Sequence, residues 1–253
     1  MNFFEQFGIA IKAYIKAISF VFNNGLWIYF LYPFIISLLL FFGGFALVHQ
    51  FSDFVRSWLM GIVDPYMASS SWLSYLTNAL SFIVNILFAI IFYFFYSAIV
   101  KYIVLIVMSP VMALLSEKAE EIITGKKYKF NFSQLLKDVL RGISIAIRNM
   151  LIELSIILIC FILVWIPVIG WLSPVFLFIV SYYFYGFSMI DYTSERRKLN
   201  VSQSVAYIRK NKGLAIGNGF VFALLFAFPI IGAIAVAVLA PVAATIAVLE
   251  IEK

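Results

Sequence analysis

Apolar residues follow one another in stretches too long for the helices of a water-soluble core, separated by short polar segments. Residues 26–48 and 79–100 carry no Asp, Glu, Lys or Arg. Each run of about 22 or 23 residues suffices to cross a bilayer with some tilt. The second run continues past Lys101 through Ser109-Pro110 to Gly125, a natural helix stop. Two further segments, 143–190 and 214–249, are apolar with an interruption in the middle: Trp165-Ile-Pro-Val-Ile-Gly170 and Ala227-Phe-Pro-Ile-Ile-Gly232. Pro ends or kinks a helix and Gly accepts most backbone conformations, so Pro167, Gly170, Pro229 and Gly232 mark the tips of two helical hairpins. Residues 2–22 differ again. Phe4, Phe7, Ile11, Tyr14, Ile15, Ile18 and Phe22 recur at spacings of three and four, opposite Glu5, Lys12, Lys16 and Ser19. This pattern predicts an amphipathic helix lying in the membrane interface.

The predicted architecture is therefore an all-α integral membrane protein with one membrane domain over residues 1–253. It comprises an interfacial helix (2–22), two long transmembrane helices (26–48 and 79–115) and two hairpins (143–190 and 214–249). The arms of the second hairpin, 214–228 and 233–249, reach only about 22–26 Å at 1.5 Å per residue, against a hydrocarbon core of about 30 Å. The inbound arm of the first carries Arg148 and Glu153, and charges at a bilayer centre are costly. Both features favour re-entrant hairpins, whose irregular tips must be buried in protein or line a wet cavity. Arg148 and Glu153 are five residues apart and do not share a helical face, so each is expected to find its partner on another element or at the interface.

Composition fixes the solvent. The chain is 64% hydrophobic and 12% charged, with mean hydropathy +1.06, outside the range of soluble domains. The 18 Lys and Arg are distributed unevenly: the loop 49–78 holds only Arg56, while 126–141 and 196–212 hold most of the others. The positive-inside rule then puts both termini, 117–142 and 191–213 in the cytoplasm. One His and one Cys, with scattered acids, give no metal-ligand set and no nucleophile–base pair, so neither an enzyme nor a cofactor is expected.

Several stretches carry a resemblance. Val107-Met-Ser-Pro-Val-Met-Ala-Leu-Leu-Ser-Glu-Lys-Ala-Glu-Glu-Ile-Ile-Thr-Gly125 resembles the Pro-x-x-x-Leu-Leu-x-Glu…Thr-Gly segment of the CysZ sulfate permease family, which also includes the etoposide-induced membrane proteins. Ile166-Pro-Val-Ile-Gly170, Asp191-Tyr192 and Phe228-Pro-Ile-Ile-Gly232 followed by Pro241-Val-Ala are similar to further motifs of that family, in the same order. The resemblance implies hemi-penetrating hairpins, a homo-oligomer, and passage of sulfate or a related small inorganic anion through the bacterial inner membrane. The lipid bilayer and that anion are the implied partners, with no nucleic acid.

One departure bears on chemistry. The family's sulfate site is a Gly-apolar-Arg-Arg motif at the start of the first long helix, and here the corresponding positions read Asn24-Gly25-Leu26-Trp27-Ile28. Free N–H groups at a helix start suit an oxyanion, but the paired guanidiniums are absent. Either another basic group supplies the charge or the substrate has changed. The alternative candidates are Arg209, Lys210 and Lys212, just ahead of the helix start at Gly213–Gly219, whose plainer reading is a cytoplasmic positive-inside cluster. A scaffold that no longer transports is the competing reading.

Overall fold

The computed structural model describes residues 1–36, 38–39, 102–127, 132–163, 169–228 and 231–252, and every element among them is helical. Pro167, Pro229, Lys101 and the loop 49–78 lie outside the described residues. The chain divides into two units, Met1–Ser37 with Ala98–Lys253, and Leu38–Ser97. All the helices described below belong to the first.

Helix α1 (Phe3–Asn23) starts at a capping box, in which Glu5 N–H donates to Asn2 Oδ1 at 2.8 Å and Asn2 N–H donates to Glu5 Oε2 at 2.9 Å. Its buried stripe is Gln6, Ala10, Ala13, Tyr14, Ala17 and Val21. Phe4, Ile15, Ile18 and Phe22 are exposed. The sequence pattern named no face turned toward the protein, and that face is formed by small residues with Gln6, Tyr14 and Val21 rather than by most of the large apolar ones. Where the other solvent is lipid, burial selects small residues that allow close approach.

The reason for the alanine stripe lies in α7 (Lys212–Phe226). A Cβ added at Gly217 would sit 2.8 Å from the Ala10 Cβ and from the Phe7 carbonyl oxygen. At Gly219, about 200° further round the helix, it would sit 1.7 Å from the carbonyl oxygen of Tyr182 on α5 (Ile169–Arg196). Helix α7 is thus thinned on opposite faces and wedged between α1 and α5, with the Tyr14 hydroxyl donating to the Asn218 carbonyl at 3.1 Å.

Helix α8 (Ile231–Ile251) is apolar all round, and Val236–Val238, Ala240, Val242–Ala244, Ala247 and Val248 are buried. Such a helix belongs inside a bundle. Helix α3 (Tyr102–Thr124) ends where the sequence placed its stop, and Gly125 adopts φ 73.

Helices α4 (Phe132–Leu163) and α5 extend beyond the predicted hairpin arms 143–166 and 171–190. Leu135, Leu136, Val139, Leu140 and Ile143 continue the helical period into a segment that reads as polar because of Lys137, Asp138 and Arg141. Among the described residues, four helices are long and apolar enough to cross a membrane: Tyr102–Thr124, Val139–Leu163 within α4, Leu172–Arg196 within α5, and Ile231–Ile251. The length limit on crossing, expected for both arms of the second hairpin, is corrected for the outgoing arm, where α8 has 21 residues. It still applies to the 15-residue α7. Helices α1 and α2 (Leu26–Ile36) would form one more span but are bent by 108°.

A candidate anion site and the polar pairs of the bundle

The bend between α1 and α2 is made locally. Asn24 closes α1 rather than opening α2: its N–H and its Nδ2 both donate to the Phe20 carbonyl, at 3.1 and 2.8 Å. Gly25 follows at φ 69, a left-handed conformation that other residues adopt only at a cost. A Cβ there would meet nothing within 4 Å, so the conformation, not crowding, calls for glycine. The chain restarts as a 3-10 turn over Leu26–Phe30 with no side-chain cap. Leu26 is buried, while Trp27 and Ile28 are 58% and 60% exposed. Among the described residues no side chain caps this helix start, and there is no ionic group among residues 24–28.

The alternative basic cluster is built differently. Arg209 and Lys210 lie in the last turn of α6 (Val201–Lys210), Lys212 opens α7, and all three are exposed. The helix start beside them is already occupied. Gly213 N–H donates to Gln6 Oε1 at 3.1 Å, and the N–H groups of Leu214 and Ala215 donate to the Asn211 carbonyl at 3.0 and 3.2 Å. Gln6 is itself fixed through Nε2 to Asn211 Oδ1 at 3.2 Å. The structure does not bring these residues to the Gly25 corner as one site. Arg209 instead lies beside the Tyr183 hydroxyl, which Arg148 approaches from α4.

Three polar clusters were not singled out as units by the sequence. Arg141 of α4 makes a paired contact with Asp191 of α5, Nη1 to Oδ2 at 2.9 Å and Nη2 to Oδ1 at 3.1 Å, with Ser204 Oγ donating to the same carboxylate. This assigns the Asp191-Tyr192 motif a role in joining α4, α5 and α6. Arg196 donates through Nε to Glu120 at 2.6 Å and through Nη1 to Ser116 at 2.8 Å, and Ser116 meets Thr245 of α8 at 2.7 Å. Glu153, only 1% exposed, accepts from Tyr102 Oη at 2.8 Å and Ser181 Oγ at 2.6 Å. The expected partner on another element is thus present, and the cost of Glu153 within an apolar helix is reduced accordingly.

The first two clusters and the pairs Arg197–Glu252 and Lys16–Glu250 join the C-terminal ends of α3, α5 and α8 to α1 and to the first third of α4. The charged segments are therefore gathered at one end of the bundle. Beside them the Tyr207 phenol, donating to Glu252 at 2.9 Å, is held well above its ordinary pKa of 10.0, first by burial and then by that carboxylate.

The family model described as Sulfate transporter CysZ/Etoposide-induced protein 2.4 matches residues 13–237. The chain belongs to this family. Relatives named Sulfate transporter CysZ include one from Vibrio parahaemolyticus, 28% identical over 76% of this chain and 75% of the relative. Another, from Pseudomonas fluorescens, is 23% identical over 85% and 83%. A third, from Vibrio cholerae, is 27% identical over 74% and 73%.

Proposed function

We propose that the chain passes sulfate, or a related small oxyanion, across the bacterial inner membrane as a permease or channel-like protein, and that it works as a homo-oligomer. The observation carrying this reading is the uncapped helix start behind Gly25, in a chain whose family includes relatives named for sulfate transport. Backbone N–H groups and the helix dipole attract an anion there without a side-chain charge. That attraction is modest, about 0.3–1 kcal/mol at an exposed end, so sulfate binds weakly.

The double change Trp27→Arg and Ile28→Arg is the test. Both side chains are exposed, so guanidiniums are accommodated, and each charge-assisted bond contributes about 1.5–3 kcal/mol. Calorimetry and radiolabelled uptake in vesicles should show sulfate affinity rising by at least tenfold. No gain in a folded double variant would favour the second reading, a membrane scaffold that has lost transport, which the missing arginine pair supports. Tight binding by the wild type would move the site toward Arg148, Arg209 and Tyr183, where two guanidiniums approach one hydroxyl.

Sidedness follows from the gathering of basic segments at one end, which the positive-inside rule assigns to the cytoplasm together with both termini. A cysteine placed at Met67 should react with an impermeant periplasmic reagent and one at Lys127 should not. The opposite pattern would invert the orientation.

A further inference from the structure

A cleft of about 350 Å³ opens between α1, the end of α3 and the end of α8. Its walls are Phe20, Ile123, Ile246 and Leu249, and its remaining lining residues are Lys16 and Glu250, paired at 2.6 Å. The volume falls within the range of about 300–1,000 Å³ typical of small-molecule pockets, and the lining is apolar at the walls and ionic at one place only. Ile122 and Ile123 are exposed on the α3 side and Ile18 on the α1 side. The cleft is thus continuous with apolar surface turned outward from the bundle. It lies at the end that carries the charge clusters, the level at which headgroups meet acyl chains in an interfacial reading of α1.

A lone lysine at such an opening would suit any anionic lipid. Here a carboxylate stands beside it, and both side chains are partly exposed, 53% for Lys16 and 36% for Glu250. An anionic headgroup would gain one contact and meet repulsion from the other. A zwitterionic headgroup with a primary ammonium satisfies both, because its phosphate accepts from the Lys16 ammonium and its own ammonium donates to Glu250. A quaternary ammonium has no N–H to donate, so the carboxylate distinguishes ethanolamine from choline.

We propose that this cleft binds one phosphatidylethanolamine, with an acyl chain between Phe20, Ile123, Ile246 and Leu249 and the headgroup across the Lys16–Glu250 pair. The site is separate from the Gly25 corner, and its test does not involve anion flux.

The experiment is native mass spectrometry of the full chain released from nanodiscs containing equal phosphatidylethanolamine, phosphatidylglycerol and phosphatidylcholine. The wild type should retain one phosphatidylethanolamine per chain, preferred over each competitor by about tenfold, as one differential charge-assisted contact gives. Glu250→Leu, which removes the acceptor, should keep a bound lipid but lose the discrimination against phosphatidylcholine. Ile246→Trp fills the cleft with both charges left in place, and retention should fall at least tenfold while the thermal unfolding midpoint stays within a few degrees. Leu249→Phe serves as the second filling variant should Ile246→Trp fail to fold. Equal retention of the three lipids by the wild type, preference for phosphatidylglycerol, no retained lipid, or undiminished retention in a folded filled-cleft variant would each overturn the proposal.

Discussion

Two helix starts in this molecule are made from similar material and finish in opposite conditions. Helix α7 begins at Lys212 among exposed basic side chains, and its first N–H groups are taken by Gln6 and by the Asn211 carbonyl. Helix α2 begins after Gly25 with no ionic side chain among residues 24–28, and Gly25 offers no side-chain cap. The basic cluster Arg209–Lys212 and the uncapped start after Gly25 therefore lie at different places among the described residues. The start beside the cluster is closed by its own packing, while the uncapped one has no ionic residue of its own in 24–28 and relies on its backbone dipole. Counting basic residues near a helix start thus misjudges its capacity to bind an anion, because what matters is whether the donors are still available.

The comparison can be broken most forcefully through the bundle that holds α6 and α7 in place. Asp191→Ala leaves the Arg141 guanidinium, 17% exposed, without its paired carboxylate oxygens. Glu195 at 3.7 Å and the Leu199 carbonyl at 3.3 Å remain as partners of the guanidinium. The loss therefore falls toward the lower end of the range of about 3–5 kcal/mol for a broken buried pair, and the unfolding midpoint in mild detergent should still drop. If it does not, the Asp191 cluster is not what fixes α6 beside α5. At the corner the effect is smaller. Gly25→Ala keeps the space but must adopt φ 69, at roughly 1–2 kcal/mol. Sulfate binding should weaken more than the midpoint falls, whereas an unchanged affinity would take the anion away from this corner. The smallest effect is the sharpest probe. Gln6→Ala releases the Gly213 N–H for about 1 kcal/mol, the usual cost of a lost cap. The freed donor beside Lys212 should then give measurable sulfate binding at α7, which calorimetry on the single variant would detect.

Much of the fold was legible in the sequence, and so, in retrospect, were the polar pairs. Across a hairpin, residues equally distant from the tip face one another. Glu153 lies 14 residues before Pro167 and Ser181 lies 14 after it, and the two meet at 2.6 Å. Arg141 and Asp191 lie 26 before and 24 after the same proline, and they form the paired contact. Counting outward from the Pro-x-Ile-Gly tip would have found both. The inward face of α1 was not legible, because hydropathy ranks Phe4 and Ile15 above Ala10 and Ala17, while in a membrane it is the smaller side chain that packs. Nor was the closure of the α7 start, since Gln6 and Gly213 are 207 residues apart. The length of α4 was obscured by charges that lie on a continuous helix.

The wedge of α7 between α1 and α5 also fixes an order of events during synthesis. Tyr14 reaches its acceptor only when Asn218 has been made, 204 residues later. Until then α1 has neither Gly213 nor Gly217 to pack against, and its alanine stripe stays uncovered. The N-terminal helix, although translated first, is among the last to be seated. A chain arrested before residue 212 would therefore carry its helices without the clasp that closes them, which makes α1 a natural reporter of completed assembly for protease protection measured during translation.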